Sequence, residues 1–213
     1  MKTEELIQSL AANVRPVSQH AIGQRIALGM IGGAVVALIV IVTWLGMRPD
    51  LATAMQGFPL WMKLAYTASL GVVAITATTS LARPEAKNLR WLWLLAVPIL
   101  LLAGIGIAEF AYAPPGAAVD IWLGDSWRVC PWIVLVLSLP IFVGLLWSYR
   151  RFAPTHLRAA GATAGLSAGA WAATLYCLHC PEVSAMFVLT WYSLGIGLAT
   201  LLGALIGPKV LRW

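Results

Sequence analysis

The sequence predicts an all-α fold: a polytopic membrane bundle of six transmembrane helices, preceded by a short amphipathic helix. Three observations predict it. Of 213 residues, 61% are hydrophobic and 10% charged, whereas a soluble domain carries about 25% charged residues. The apolar residues fall into six continuous runs, each near the ~20 residues a helix needs to cross the hydrocarbon core. The basic residues gather in every second connection. A mean hydropathy of +0.85 excludes an ordinary soluble enzyme, a secreted disulfide scaffold and a disordered chain. The eleven Trp and 19 Gly agree, since Trp favours membrane interfaces and Gly permits close helix packing.

The runs predict spans over about 26–47, 60–82, 91–113, 129–149, 159–178 and 185–207. Each ends in boundary chemistry: Arg48-Pro49-Asp50, Arg83-Pro84-Glu85, Pro114-Pro115-Gly116, Arg150-Arg151 with Pro154, Cys180-Pro181-Glu182 and Gly207-Pro208. A closed β-barrel would show alternating polarity over segments of about 10 residues, and these runs are continuous and longer. Residues 1–22 then form a tail and 23–213 a transmembrane domain. The connections are short, so consecutive helices are expected as antiparallel neighbours. The first run follows a polar tail and is long enough to span, so it reads as a signal anchor.

Charge sets the expected orientation. With the N-terminus in the cytoplasm, the inner segments hold eleven of the 14 Lys and Arg. The outer segments hold Arg48, Lys63 and Arg128, together with five of the eight acids: Asp50, Glu109, Asp120, Asp125 and Glu182. This positive-inside pattern places both termini in the cytoplasm. It also accounts for the net charge of +6 without direct nucleic-acid binding.

Small residues recur at four-residue spacing and predict helix contact seams: Gly29 and Gly33; Gly161, Gly165 and Gly169; Gly195, Ala199, Gly203 and Gly207. Pro98 and Pro140 fall inside spans and are expected to kink them. Glu109, the carboxylate within a span, lies about a turn from the outer end, within reach of headgroup water. No train of buried charges suggests a pump. Walker loops, dinucleotide fingerprints, zincin motifs and nucleophile elbows are absent from the sequence, so no catalytic residue or cofactor is expected. Oligomeric state stays open.

The three cysteines share one side. Cys130 starts the fourth span, and Cys177 and Cys180 end the fifth. Antiparallel topology then brings all three to the outer face, which in bacteria is the oxidising periplasm. A structural disulfide, inert buried thiols and a responsive thiol site all fit that placement. His179 stands beside Cys180, so Cys130, Cys180 and His179 are candidate ligands for a soft or borderline metal.

The tail reads as one amphipathic helix. Thr3 suits the N-cap, and Glu4 and Glu5 favour the positive helix start. Leu6, Leu10 and Val14 fall on one face, flanked by Ile7 and Ala11. So short a helix is marginal alone in water. Docking in a partner groove or lying on membrane lipid would stabilise it, and a polybasic anchor is not evident.

Several segments together resemble the NrsF-like negative regulators of extracytoplasmic-function sigma factors. They are Thr3-Glu4-Glu5-Leu6-Ile7-Gln8-Ser9-Leu10 with Arg15-Pro16-Val17, Trp127-Arg128-Val129-Cys130-Pro131, His179-Cys180-Pro181-Glu182, and Gly207-Pro208-Lys209-Val210-Leu211-Arg212-Trp213. The resemblance implies an anti-sigma factor of the bacterial inner membrane, not an enzyme. Such a protein would hold its sigma factor through the tail, at Leu6, Ile7, Leu10 and Val14, and release it under envelope or metal stress. Cys130 and Cys180 match the family's pattern and would be the sensing thiols. Cys177 is an addition and a further candidate. Two other classes stay in view: a membrane thiol–disulfide oxidoreductase, for which three cysteines are an awkward number, and a small metal or solute transporter.

Overall fold

The computed structural model describes residues 3–12, 21–82, 90–152 and 154–212. Among these residues the chain is helical throughout, with no strand. Helix α1 is Thr3–Ala12. Helix α2 is Ala21–Leu45, its last turn a π-helical segment over Ile41–Leu45. A short α3, Leu51–Ala54, leads into α4, Phe58–Leu81. A 3₁₀ turn over Arg90–Leu95 enters α5, Ala96–Ala111. The remaining helices are α6, Ala118–Leu123; α7, Cys130–Tyr149; α8, Leu157–Tyr176; and α9, Ala185–Val210, which contains a π segment over Val188–Tyr192.

Local chemistry explains the boundaries. Pro59 and Pro131 sit in the first turns of α4 and α7, where the missing N–H leaves no hydrogen bond unmade. Gly46 stops α2 with a φ of 80°, and Gly124 stops α6 with a φ of 57°. Pro140 lies in the interior of α7, as the sequence predicts. Pro98 instead falls in the first turn of α5, just after the 3₁₀ segment, where proline is tolerated.

Among the described residues, five helices are long and apolar enough to cross a membrane: Ala21–Leu45, Phe58–Leu81, Leu92–Ala111, Cys130–Tyr149 and Ala185–Val210. The sequence predicts six, and α8 is the difference. It is 20 residues long, yet rich in Gly, Ala, Ser and Thr, and it lies at the centre of the bundle against α4, α7 and α9. A helix shielded by its neighbours needs no apolar coat, so its composition answers to packing rather than to lipid.

The expected glycine seams form these contacts. A methyl group added at Gly161 would overlap the Gly203 carbonyl, and one at Gly165 would overlap that of Ala199. Across α2 and α7, one at Gly29 would overlap the Gly144 carbonyl, and one at Gly33 would strike Ile141 and Pro140. The expectation of consecutive neighbours holds for α7 with α8 and for α8 with α9, but not for α2 with α4. Helix α2 packs chiefly on α7, where Gly29 and Gly33 meet Gly144, Pro140 and Ile141, and α4 packs chiefly on α8, where Gly71 receives the Trp171 ring. Helix α5 stays at the periphery, largely exposed.

Polar cross-links tie both ends of the bundle. At one end Tyr149 Oη donates to Thr78 O at 2.7 Å, and Ser148 Oγ to Arg25 O at 2.9 Å. The Arg25 guanidinium stacks on Trp147, 4.4 Å from the ring centre. Towards the other end Thr174 donates to Thr67 at 3.0 Å, and Tyr66 pairs with Ser193 at 2.6 Å.

Gly161→Ala, at the closed α8–α9 seam, should lower unfolding stability in detergent by about 1–3 kcal/mol through overpacking. Gly197→Ala, where added carbon meets open space, should leave stability unchanged or raise it by up to about 1 kcal/mol. Thermal unfolding of the two purified variants checks the contrast.

Candidate functional site

The end of the bundle opposite Tyr149 carries the chemistry. The turn from Cys177 to Ser184 joins α8 to α9 and is held from four directions. The Arg48 backbone N–H donates to Leu178 O at 3.1 Å, and the Arg48 side chain donates to Cys180 O at 3.3 Å. Lys63 Nζ donates to Cys180 O at 3.0 Å and to Glu182 O at 2.7 Å. His179 Nδ1 donates to Gly46 O at 2.7 Å, locking the ring to the end of α2. The Glu182 carboxylate accepts from Asp125 N, Ser126 N and Ser126 Oγ at 2.9, 3.1 and 2.9 Å.

Two of these groups set helix starts. Cys130 N donates to Ser126 O at 2.9 Å, so Glu182 braces the turn that launches α7. Gly124 makes room, since a side chain there would collide with the Glu182 carboxylate. Glu109 accepts from Ser184 Oγ at 3.0 Å and from Ala185 N at 2.9 Å, and Ser184 Oγ accepts from Phe187 N. Glu109 is half-buried, and besides the reach to headgroup water that the sequence suggests, its carboxylate oxygen caps the unsatisfied N–H groups at the start of α9.

Cys130, Cys177 and Cys180 come together beneath this turn, all fully buried and all free thiols. Cys130 opens α7, and Cys177 donates to Ala173 O at 3.3 Å. Tyr176 and Tyr192 wall the cluster, with ring centres 5.5 Å apart. Lys63 is also fully buried and lies within electrostatic reach of Cys130 and Cys177. His179 is half-buried, 5.6 Å from the Tyr176 ring. Among the described residues, no group of three or more His, Cys, Asp or Glu side chains is gathered closely enough to hold a metal.

The other expected site residues lie on α1. Ile7 is exposed on that helix. Val14, and the side chains of Leu6 and Leu10, lie outside the described residues.

Sequence reasoning brought the thiols to one end and missed what surrounds them. Lys63 was visible as a lone cation inside an apolar run, and such a residue demands a named partner. Its partners are backbone carbonyls 117 and 119 positions away, which no local pattern reveals. Tyr176 and Tyr192 carried no signal beyond their aromatic character.

These features define a helical protein with several apolar helices long enough to cross a membrane and a buried cluster of thiols at one end. The chain belongs to the family NrsF, Negative regulator of sigma F, which it matches over residues 10–213. It is 38% identical over 214 residues to the "Probable anti-sigma-F factor NrsF" of Azospira oryzae, covering 100% of both chains. It is 39% identical, again over the full length of both, to the "Anti-sigma-F factor NrsF" of Caulobacter vibrioides. No solved structure matches it. The family is one of regulatory proteins rather than enzymes.

The Arg48–Asp50 pair gives the site an acid limit. Two hydrogen bonds of 2.7 and 2.6 Å join them. Hydrogen bonding to Arg48 holds the Asp50 carboxyl below the ordinary carboxylate range. A carboxyl lowered by folding contributes stability above its unfolded pKa of about 3.9, and that contribution disappears as pH falls through the lowered value. Mild acid to pH 5 should therefore leave the pair intact, with loosening only below about pH 4. Asp50→Asn should remove this pair's share of the acid dependence and so flatten the upper part of the transition, read as tryptophan fluorescence of the purified protein between pH 6 and 2.

Proposed function

We propose that this chain is an anti-sigma factor of the bacterial inner membrane that sequesters an extracytoplasmic-function sigma factor. Modification of the buried thiols by a thiol-reactive metal or an oxidant releases the partner. The observation that carries the reading is full-length similarity to two proteins named as anti-sigma-F factors, joined to free cysteines gathered at one end of a membrane-type bundle.

In this reading α8 crosses the membrane with the five more apolar helices, giving six spans and cytoplasmic termini. The end bearing Cys130 and Cys180 faces the periplasm. The tail, residues 1–22, grips the sigma factor through Leu6, Ile7, Leu10 and Val14, which fall on adjoining positions of one amphipathic face. Cys130 and Cys180 are the sensing pair, with Cys177 and His179 as accessory groups. Lipid surrounds the bundle and DNA is not contacted directly.

Release requires a second packing of the helices, since a ligand shifts an equilibrium only by its differential affinity for two states. Moving the population from 1:99 to 99:1 takes about 5.5 kcal/mol, within reach of two metal–thiolate bonds or a disulfide. Metal capture by two thiols displaces two protons. Disulfide formation releases two protons and passes two electrons to the oxidant.

Three measurements test the reading. Cys130→Ser with Cys180→Ser should abolish induction of sigma-dependent transcription by cadmium or an oxidant, and an undiminished response removes the sensor. Leu6→Glu with Leu10→Glu should free the sigma factor, so continued co-purification removes the grip. A membrane-impermeant thiol label applied to intact spheroplasts should fail to reach Ser9→Cys in a background lacking the native cysteines. Labelling there overturns the topology.

A further inference from the structure

The ends of α7, α8 and α9 away from the thiols carry an unbalanced positive charge. Arg150 and Arg151 follow α7, Arg158 stands in the first turn of α8, and Lys209 and Arg212 close α9. All five are exposed. Packing brings them to one end, since a methyl group added at Gly207 of α9 would overlap the carbonyl of Leu157, the neighbour of Arg158. From residue 126 onward the sequence holds one acid, Glu182, and it braces the opposite end.

Two of these cations line a cavity. A recess of about 320 Å³ lies between the end of α7 and the end of α9, bounded by Tyr149, Arg150 and Phe152 on one side and by Val210, Leu211 and Arg212 on the other. Among the described residues neither guanidinium meets an acid or donates a hydrogen bond, and the ion pair that forms, Arg48–Asp50, is at the thiol end. Basic side chains after a helix C-terminus often answer the helix dipole. Here that role leaves charge in excess. Helices α7 and α9 present about −0.5 charge each and the start of α8 returns about +0.5, against five cations. Neither guanidinium of the recess bonds a terminal carbonyl. The recess calls for an anion, and two planar guanidinium forks across one small space suit the oxygens of a phosphate.

The surroundings choose its source. The volume falls at the lower end of the ~300–1,000 Å³ of small-molecule sites, room for a headgroup and not for a folded surface. The adjoining helix faces are apolar. Val143 precedes Arg150 by seven residues, nearly two full turns, so it shares that face, and it is exposed. Leu205 is exposed on α9. Trp147, exposed with Arg25 stacked upon it, marks the depth at which aromatic rings sit between acyl chains and headgroups. A charged recess beside apolar faces fits a molecule with phosphate at one end and hydrocarbon at the other.

We propose that Arg150 and Arg212 form a site for the phosphate of an anionic phospholipid of the inner leaflet, its acyl chains lying along the exposed faces of α7 and α9. The inference rests on the reading that these helices cross the membrane with their arginine-bearing ends in the cytoplasm, where basic pockets between helices bind anionic headgroups.

The experiment is lipid retention by the full-length protein in detergent, followed by native mass spectrometry with phosphatidylglycerol, phosphatidylcholine and inorganic phosphate in parallel. The wild type should hold one phosphatidylglycerol in preference to phosphatidylcholine, less tightly as salt rises. Arg150→Gln with Arg212→Gln should weaken retention about thirtyfold, each arginine near an anionic lipid being worth roughly fivefold. Arg150→Lys with Arg212→Lys should keep the preference. Equal retention by the glutamine variant, or no preference between the two lipids, overturns the proposal. Inorganic phosphate that displaces phosphatidylglycerol at equal concentration assigns the recess to a free anion and overturns it as well. So does loss of sigma-factor co-purification from the glutamine variant with lipid retention intact, which makes the recess a protein contact. Should the glutamine variant not accumulate, the two lipids compared on the wild type decide alone. Binding in detergent is indifferent to orientation, so the topology is tested apart from the site. Thr155→Cys, exposed in the α7–α8 connection, should escape a membrane-impermeant thiol label on intact spheroplasts lacking the native cysteines. Labelling there, with the lipid preference intact, upholds the phosphate site and overturns the topology.

Discussion

A full positive charge enclosed in an apolar bundle is the constraint on which this end of the protein depends. Lys63 enters from the second residue turn of α4, where nothing but protein can solvate it, and the α8–α9 turn supplies the carbonyls. Once that turn is fixed, the rest follows. Cys180 is held under its own carbonyl, Glu182 reaches back to brace the start of α7, and Ser184 is placed where Glu109 caps α9. Four elements distant in sequence are thus tied to one short turn by ionisable side chains. In a low-dielectric interior such bonds are strong and their loss is expensive. An apolar residue at position 63 would remove the charge and leave two carbonyls unsatisfied.

The body of the bundle obeys a different constraint. For helices apolar enough to cross a membrane, lipid would offer no hydrophobic drive to associate, and contact would depend on how closely backbones approach. Gly161 with Gly203, and Gly29 with Gly144, bring carbonyl oxygens against facing backbone. Helix α8 is the extreme case. Its small residues let three helices close around it, and the same composition makes it the least lipid-like of the long helices. The feature that obscures it as a span is the feature that makes it central.

Much of this was legible in the sequence. The all-helical class, the boundaries at Arg48-Pro49-Asp50 and Arg150-Arg151, and the glycine seams follow from period, length and the volume of glycine. So does the gathering of Cys130, Cys177 and Cys180, because alternating direction assigns each helix end to one side. Helix partners were not legible. Adjacency in sequence suggested α2 beside α4, whereas the matching faces of Gly29 and Gly144 join α2 to α7. The roles of Lys63, Glu109 and Glu182 were equally hidden. Each acts on backbone groups, and a carbonyl or an amide leaves no mark on the identity of the residue that carries it.

The geometry also says where a change at the thiols would be felt. Cys130 is the first residue of α7, and Ser148 and Tyr149 are its last turn. Those two side chains bond Arg25 O, near the start of α2, and Thr78 O, near the end of α4. Between the ends, α2 and α7 meet backbone to backbone at Gly29 and Gly144, with no flexible side chain between them to absorb a shift. Close-packed contacts of this kind transmit displacement rather than damp it. On the proposed reading, α7 is one mechanical path from the thiols to the residues that follow the tail, alongside α2 itself, whose far end is bonded by His179 at Gly46. Helix α5, peripheral and joined to α9 through the Glu109 cap, is poorly placed for that task. A coupling through α8 would run instead into its glycine seam with α9, where Gly161 meets Gly203 and Gly207.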